Sequence, residues 1–481
     1  MGADLMGARL SLRSTAAVLG VTSLLWFALN VDFLMRGDAT TYANYALLGK
    51  FDDITLHNGY YFVVYALQHW LAGPLGVPVH ETMAWLNVLC GAMATVLVLL
   101  FTEALVGDRR LGVLAALLFV LSGRVLMNAT SSEIYMLQTV CVLASMLAYV
   151  KNRFVLAGVA AGCSLLVSPL SAFAFLFFPV WEATRGEKIR WKAFALFVAA
   201  GTVVYLPYLV TCWRELFWGR RGLLVVREAA KLDLPLLAVN IFKYQFKHYT
   251  LLWVLLLPAL FHVSRHKRLA WLTLAVAIPH GYIVAKLTTE DHTFLLNVDP
   301  FIVMWMAIGL GALLSLKAWR WVAPLPLVVH LLLYVKSGML FSGEYNKGYA
   351  AEMRGIAEQY IKGKPAVLIS DWDVGIAMAH FGSDSITSIP EEDPVYRQMY
   401  DFTDDEKVRP SLDGVTIYLL DPWSPSPINR ILRSRAALEQ LRATMSIRAQ
   451  AEQKLGLVCT ELARGTHVLY RCERRAAANA G

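Results

Sequence analysis

The sequence predicts a polytopic α-helical membrane protein carrying a small C-terminal α/β domain. Three observations lead there. Of the 481 residues, 57% are hydrophobic and 17% charged, against roughly half and a quarter in soluble domains. The apolar residues gather into runs near the length a helix needs to cross hydrocarbon, about 20 residues. The runs stop near residue 341, and from 342 to 481 the chain turns to charged stretches, turns and short strands. The expected division is therefore a transmembrane part, 1–341, and a soluble part, 342–481, long enough for a core of its own.

The first run, from Thr15 to Phe33, follows Arg9 and Arg13 and ends without a small-x-small cleavage site, so it reads as a retained first span. Spans are expected over 14–33, 84–106, 111–128, 131–150, 154–168, 170–183, 191–211, 249–264, 268–287, 300–316 and 319–336. Ser168-Pro169 demands a tight turn between two of them. Lys and Arg fill alternate connections: Arg109 and Arg110, Lys151 and Arg153, Arg185 to Lys192, Arg265 to Arg268, Lys317 and Arg320. Connections such as 123–131 and 287–299 hold few. That alternation gives about eleven spans with the N-terminus cytoplasmic and the tail outside. It also accounts for the net charge of +8, since no basic tract with interleaved aromatics marks a nucleic-acid module.

The first outer loop, 34–83, is too long for a plain connector. It holds Asp38, Asp52, Asp53, His57 and His69. Residues 39–49 have helical spacing, with Tyr42, Tyr45 and Leu48 on one side. Residues 59–72 are apolar and aromatic but too short to span, which suits an interfacial or re-entrant helix with Gln68 and His69 on its wetter face. A second outer loop, 212–248, is strongly basic and includes Arg220, Arg221 and Arg227. Glu133, Glu290, Asp291, His292 and Asp299 also fall on the outer side.

Asp38 lies just past the first span, and interfacial acids walled by apolar groups are rarely idle. Pairing with Arg36 is the plainer reading. Glu133, in Ser131-Ser132-Glu133-Ile134-Tyr135, reads equally well as a first-turn acid in a helix capped by Ser131 or Ser132. Glu290-Asp291-His292 are neighbours in the chain and poorly placed to converge on one ion, so neither metal nor cofactor is expected.

In the tail, strands are expected over Ala366–Ser370 and Val415–Leu420, and a helix over Ile428–Ile447. Leu457–Ala463 and His467–Cys472 read as a hairpin around Gly465-Thr466. In that register Cys459 faces Cys472 as a non-hydrogen-bonded pair, close enough for a disulfide in an oxidising compartment. Two reduced cysteines are the alternative. Cys90, Cys141, Cys163 and Cys212 belong to apolar runs and read as packing residues.

An Asp directly after the first span, His57-Asn58-Gly59-Tyr60-Tyr61, Glu133-Ile134-Tyr135 heading the fourth span, and Ser168-Pro169 after a small-residue helix together resemble the GT-C superfamily of membrane glycosyltransferases. The similarity is greatest to the protein O-mannosyltransferase and aminoarabinose transferase branches, over roughly residues 14–210. The order of the motifs carries more weight than any one of them. The resemblance implies inverting transfer of a sugar from a polyprenyl-phosphate donor to an acceptor hydroxyl at the outer face of a bacterial inner (plasma) membrane. It implies Asp38 as base with Glu133 and His57 as further catalytic candidates. Substrate contacts would come from Tyr42, Asn58, Tyr60, Tyr61 and Tyr135. The acceptor could be a glycan, a lipid or a protein. Two departures stand out: Ala39 follows Asp38 where many relatives have a second acid, and Asn58 follows His57 where many have Pro.

The chemistry agrees. A lipid phosphate leaves readily, so transfer needs a base for the acceptor hydroxyl and cations for the phosphate, which Arg220, Arg221 or Arg227 can supply. Attraction of that loop to anionic headgroups is its plainer role. Two rival classes remain at this stage. A transporter or flippase would place ionisable groups near the midplane of two matching halves, and no internal repeat is visible. A non-catalytic assembly protein that binds a partner through its tail would leave Asp38 expendable.

Overall fold

The computed structural model describes residues 11–31, single positions between 39 and 49, 57–218, 248–287 and 293–337, the tail strands, and a few isolated positions. By contacts the chain divides into two units, one of Met1–Val31, Tyr45–His69 and Ala84–Leu332, the other of Asp32–Asn44, Trp70–Met83 and Leu333–Gly481.

Helix α1 (Leu12–Leu29) starts at Ser11, whose hydroxyl accepts from the Ser14 N–H. It buries Leu19, Ser23 and Phe27 and leaves Val18, Val21, Leu25 and Leu29 open. A row of open branched apolar side chains costs nothing where the surroundings are lipid tails. Positions 39, 42, 43 and 46 are helical, as the 39–49 spacing suggests. Helix α2 (Asn58–Leu67) continues through a π-helical turn, Gln68–Ala72, to a short 3-10 turn, Gly73–Leu75. Helix α3 (Val79–Val106) is the next long apolar element.

Helices α4 (Arg109–Leu121) and α5 (Gly123–Thr130) correct the expected span 111–128. The chain bends by 65° between them, where Ser122 takes an extended conformation. Residues 123–131, read from sequence as a connection, are mostly a buried helix. The bend turns Arg124, a cation within an apolar run, inward to a buried partner.

Next come α6 (Tyr135–Val150), α7 (Phe154–Val167), a 3-10 stretch (Pro169–Leu176), α8 (Phe177–Thr184) and α9 (Trp191–Trp218). A further 3-10 turn (Thr250–Leu255) runs into α10 (Leu256–Leu260), followed by α11 (Lys267–Leu287), α12 (Asp299–Ser315) and α13 (Leu325–Ser337). Among the described residues, four helices are long and apolar enough to cross a membrane, or five if the bent α4–α5 pair is one span. Shorter apolar helices fill most of the other expected runs.

Small residues set the packing of α7 on α9. A Cβ on Gly158 of α7 would lie 2.2 Å from the Phe197 carbonyl oxygen of α9, and one on Gly162 would lie 2.7 Å from that of Gly201. This is the small-xxx-small contact by which helices in lipid gain van der Waals packing. Gly158→Leu should force the pair apart and cost at least ~1–3 kcal/mol, measured as a lowered thermal midpoint in detergent. At the ends of these helices Arg190 wraps the buried Glu182 carboxylate, with Nε 3.1 Å and Nη2 2.5 Å from Oε1, and lies over the Phe154 ring at 4.8 Å.

The tail forms one five-stranded sheet from β1 (Ala366–Ser370), β2 (Ile386–Pro390), β3 (Thr416–Pro422), β4 (Leu457–Arg464) and β5 (His467–Arg474), in the order β2-β1-β3-β5-β4. Strands β2, β1 and β3 run parallel, whereas β5 pairs antiparallel with β3 and β4. Cys459 stands opposite Cys472, and the two are bridged. Strand β2 was not read from sequence. Gly465, Thr466 and the expected helix over Ile428–Ile447 lie outside the described residues.

Candidate functional site

The start of α2 rests on the end of α7. Ser168 is extended and Pro169 opens a 3-10 stretch, in which the Ser171 N–H turns to the Ser168 carbonyl at 3.0 Å. The Val167 carbonyl is therefore outside the helical ladder, and His57 Nδ1 sits 2.8 Å from it. A carbonyl only accepts, so Nδ1 carries a proton and Nε2 is the basic nitrogen of the neutral ring. Two residues on, Gly59 meets Leu166: a Cβ there would lie 2.8 Å from Leu166 Cβ and 2.9 Å from its carbonyl carbon. Only glycine allows that approach. Residues 57–59 are thus laid along 166–168.

Glu133 is positioned from below. Asn87, fully buried in the first third of α3, donates through Nδ2 to the Ser131 carbonyl at 2.7 Å and to the Glu133 carbonyl. One amide thus pins the break between α5 and α6. The expected cap at Ser131 or Ser132 is corrected here. Helix α6 begins at Tyr135 with no side-chain cap, and the Ser131 hydroxyl instead donates back to the Met127 carbonyl at 2.6 Å. Glu133 therefore precedes the first turn and is half-buried.

The two parts meet at Tyr60. Its phenol lies against the Asn87 amide and within electrostatic reach of Glu133. Tyr61, also fully buried, presents its ring edge-on to His57 at 6.5 Å. Tyr135 opens α6 and is buried. The structure thus gathers His57, Asn58, Tyr60, Tyr61 and the Glu133-Tyr135 segment around the ends of α2, α3, α6 and α7. Tyr42 is buried in its own helical turn. Asp38, Arg220, Arg221 and Arg227 lie outside the described residues, as do Glu290, Asp291 and His292.

Several polar residues here escaped the sequence reading. Asn87 is one, and a lone amide in a long apolar helix was the signal for it. Arg124 is another, and so is its pairing with Asp299: both side chains are fully buried and ion-paired. Tyr249 lies against Asp299 and Ser122. Beneath the same bend, the Thr250 hydroxyl is 2.7 Å from His330 Nδ1, and His330 Nε2 donates to the Leu121 carbonyl at 2.8 Å. Among the described residues no three His, Cys, Asp or Glu side chains stand together as metal ligands.

No family model matches the chain, and no curated protein matches it by sequence. Solved structures do match. The ArnT structure from Cupriavidus metallidurans with bound undecaprenyl phosphate aligns over 97% of this chain and 98% of its own, at TM-score 0.58 and 13% identity. The archaeal oligosaccharyltransferase AglB from Archaeoglobus fulgidus, in complex with an inhibitory peptide and a dolichol-phosphate, aligns over 85% of this chain and 69% of its own, at TM-score 0.54 and 13% identity. The arabinofuranosyltransferase AftD from Mycobacteria aligns over 96% of this chain but 40% of its own, at TM-score 0.51 and 15% identity. All three are GT-C superfamily glycosyltransferases. The chain has the GT-C fold and is an integral membrane protein.

Proposed function

We propose that this chain is an inverting membrane glycosyltransferase that moves a sugar from a polyprenyl-phosphate donor to an acceptor hydroxyl at the outer membrane face. The observation that carries the reading is the fold shared, over nearly its whole length, with a transferase solved holding undecaprenyl phosphate. The polar cluster of His57, Tyr60 and Glu133 adds to it, because His57 belongs to the same stretch of sequence, 34–83, as Asp38. A transporter would want such groups at the midplane of two repeats.

In this scheme the acceptor hydroxyl gives its proton to the Asp38 carboxylate while its oxygen bonds to the anomeric carbon. The bond from that carbon to the phosphate oxygen breaks, and the electron pair leaves with the polyprenyl phosphate. Arg220, Arg221 and Arg227 hold the departing charge. His57, whose ring is fixed by the Nδ1–H bond to Val167, orients the acceptor or Asp38. About eleven spans place the N-terminus in the cytoplasm and residues 342–481 outside.

Purified protein in proteoliposomes tests the reading directly. With a undecaprenyl-phosphate-linked sugar and an acceptor extract, free undecaprenyl phosphate should accumulate in step with glycosylated product. Passage of the intact lipid-linked sugar across the bilayer, with no lipid phosphate released, would instead mark a flippase. Replacing Arg220 and Arg221 by Gln should raise the donor KM more than it lowers kcat, as expected of residues that bind ground-state phosphate.

A further inference from the structure

The junction between α2 and α7 holds polar atoms that no described residue bonds. Asn58 is 7% exposed and Ser168 fully buried. Among the described residues, neither Asn58 Nδ2, Asn58 Oδ1 nor Ser168 Oγ has a hydrogen-bond partner. Buried donors and acceptors left unmatched are costly and infrequent in folded proteins. Here three of them lie on two residues whose chain neighbours touch, through His57 on Val167 and Gly59 on Leu166.

We propose that Asn58 and Ser168 form a subsite for two neighbouring ring hydroxyls of the transferred sugar. A side-chain amide offers a donor and an acceptor side by side, and a serine hydroxyl offers both on one atom. Their natural complement is a pair of hydroxyls, each of which also donates and accepts. A phosphate is a poorer match, since a fully ionised oxyanion gives Asn58 Oδ1 nothing to accept. Position supports the choice. Helix α2 has no side-chain cap, and its first bonded N–H groups are those of Tyr60 and Tyr61. Its opening therefore leaves the Asn58 and Gly59 N–H groups outside the helical ladder. Asn58 also stands two residues from Tyr60, which borders Glu133. The inference rests on the proposed sugar transfer and adds to it a recognition element. Where the resembling enzymes often carry Pro after the His, this chain carries an amide, so the subsite should distinguish its donor sugar from theirs.

The test compares three lipids binding to the full chain in nanodiscs: undecaprenyl phosphate, and its mannosyl and arabinosyl esters, both of which carry neighbouring ring hydroxyls. The parent should bind at least one ester about tenfold more tightly than the bare lipid phosphate, the value of one well-made hydrogen-bonded pair. Asn58→Leu and Ser168→Ala should bring that preference to within about twofold while leaving affinity for undecaprenyl phosphate alone. Asn58→Leu should melt no lower than the parent, because among the described residues the amide has no hydrogen-bond partner to lose. If it fails to fold, Asn58→Ala and Ser168→Ala decide the matter. Equal affinity of the parent for all three lipids, or a preference that survives both substitutions, would overturn the subsite. If donor is still cleaved in that event, sugar transfer stands without it. Failure of all three lipids to bind would remove both.

Discussion

Asp38→Asn is expected to give a protein that inserts and melts like the parent but transfers sugar about 10²–10⁴ times more slowly, the contribution of a positioned general base. The amide keeps the size and most hydrogen bonds of the carboxylate and loses only its ability to take a proton. The loss should fall on kcat, with donor affinity little changed, because the proton moves only as the new bond forms. Asp38→Glu, which keeps the base but shifts it by one methylene, should recover part of the rate. Turnover of Asp38→Asn at the parent rate would move the role to Glu133 or His57, the other groups able to accept a proton. Glu133→Gln would then be the variant that abolishes transfer.

Asp299→Leu is expected to cost about 3–5 kcal/mol of stability, read from thermal or denaturant unfolding in detergent, because it strands the Arg124 guanidinium without its counter-ion. Arg124→Met should do the same from the other side. Both side chains are fully buried. Arg124 Nη1 is also 3.5 Å from the Leu295 carbonyl, which adds little to hold the charge. The double variant, Arg124→Met with Asp299→Leu, should recover to within about 1 kcal/mol of the parent, since a buried ion pair is often replaceable by apolar residues of similar volume. Single and double variants that are equally unstable would mean that the pair also fixes the backbone bend at Ser122. The consequence for activity runs through α5. Arg124 holds its first turn and Asn87 holds the chain just beyond its last, so freeing either end should loosen the Glu133 segment.

The apolar skeleton was legible because hydrophobic run length is a local property, and the Ser168-Pro169 break was legible because proline cannot continue a hydrogen-bond ladder. The tail hairpin could be registered from period-two alternation, which fixes that Cys459 and Cys472 share a face. Other features depended on partners far along the chain. Arg124 meets Asp299 across 175 residues, so nothing near Ser122 announced the bend. Asn87 serves carbonyls 44 and 46 residues away, and in its own helix it is one polar letter among apolar ones. Strand β2 is five residues, ITSIP, whose parallel partner β1 requires a crossover, and short runs of that kind carry little periodic signal. The cap at Ser131 misled for a different reason. A serine beside a helix start can equally serve the helix that has just ended, and here its hydroxyl turns back to Met127.

A structure of the purified chain with a non-hydrolysable undecaprenyl-phosphate sugar tests the central claim most directly. The expected result is the anomeric carbon beside the Asp38 carboxylate, with the sugar ring over Asn58 and the phosphate among the arginines of the 212–248 loop. A donor bound elsewhere, with Asp38 turned to open solvent, would contradict it.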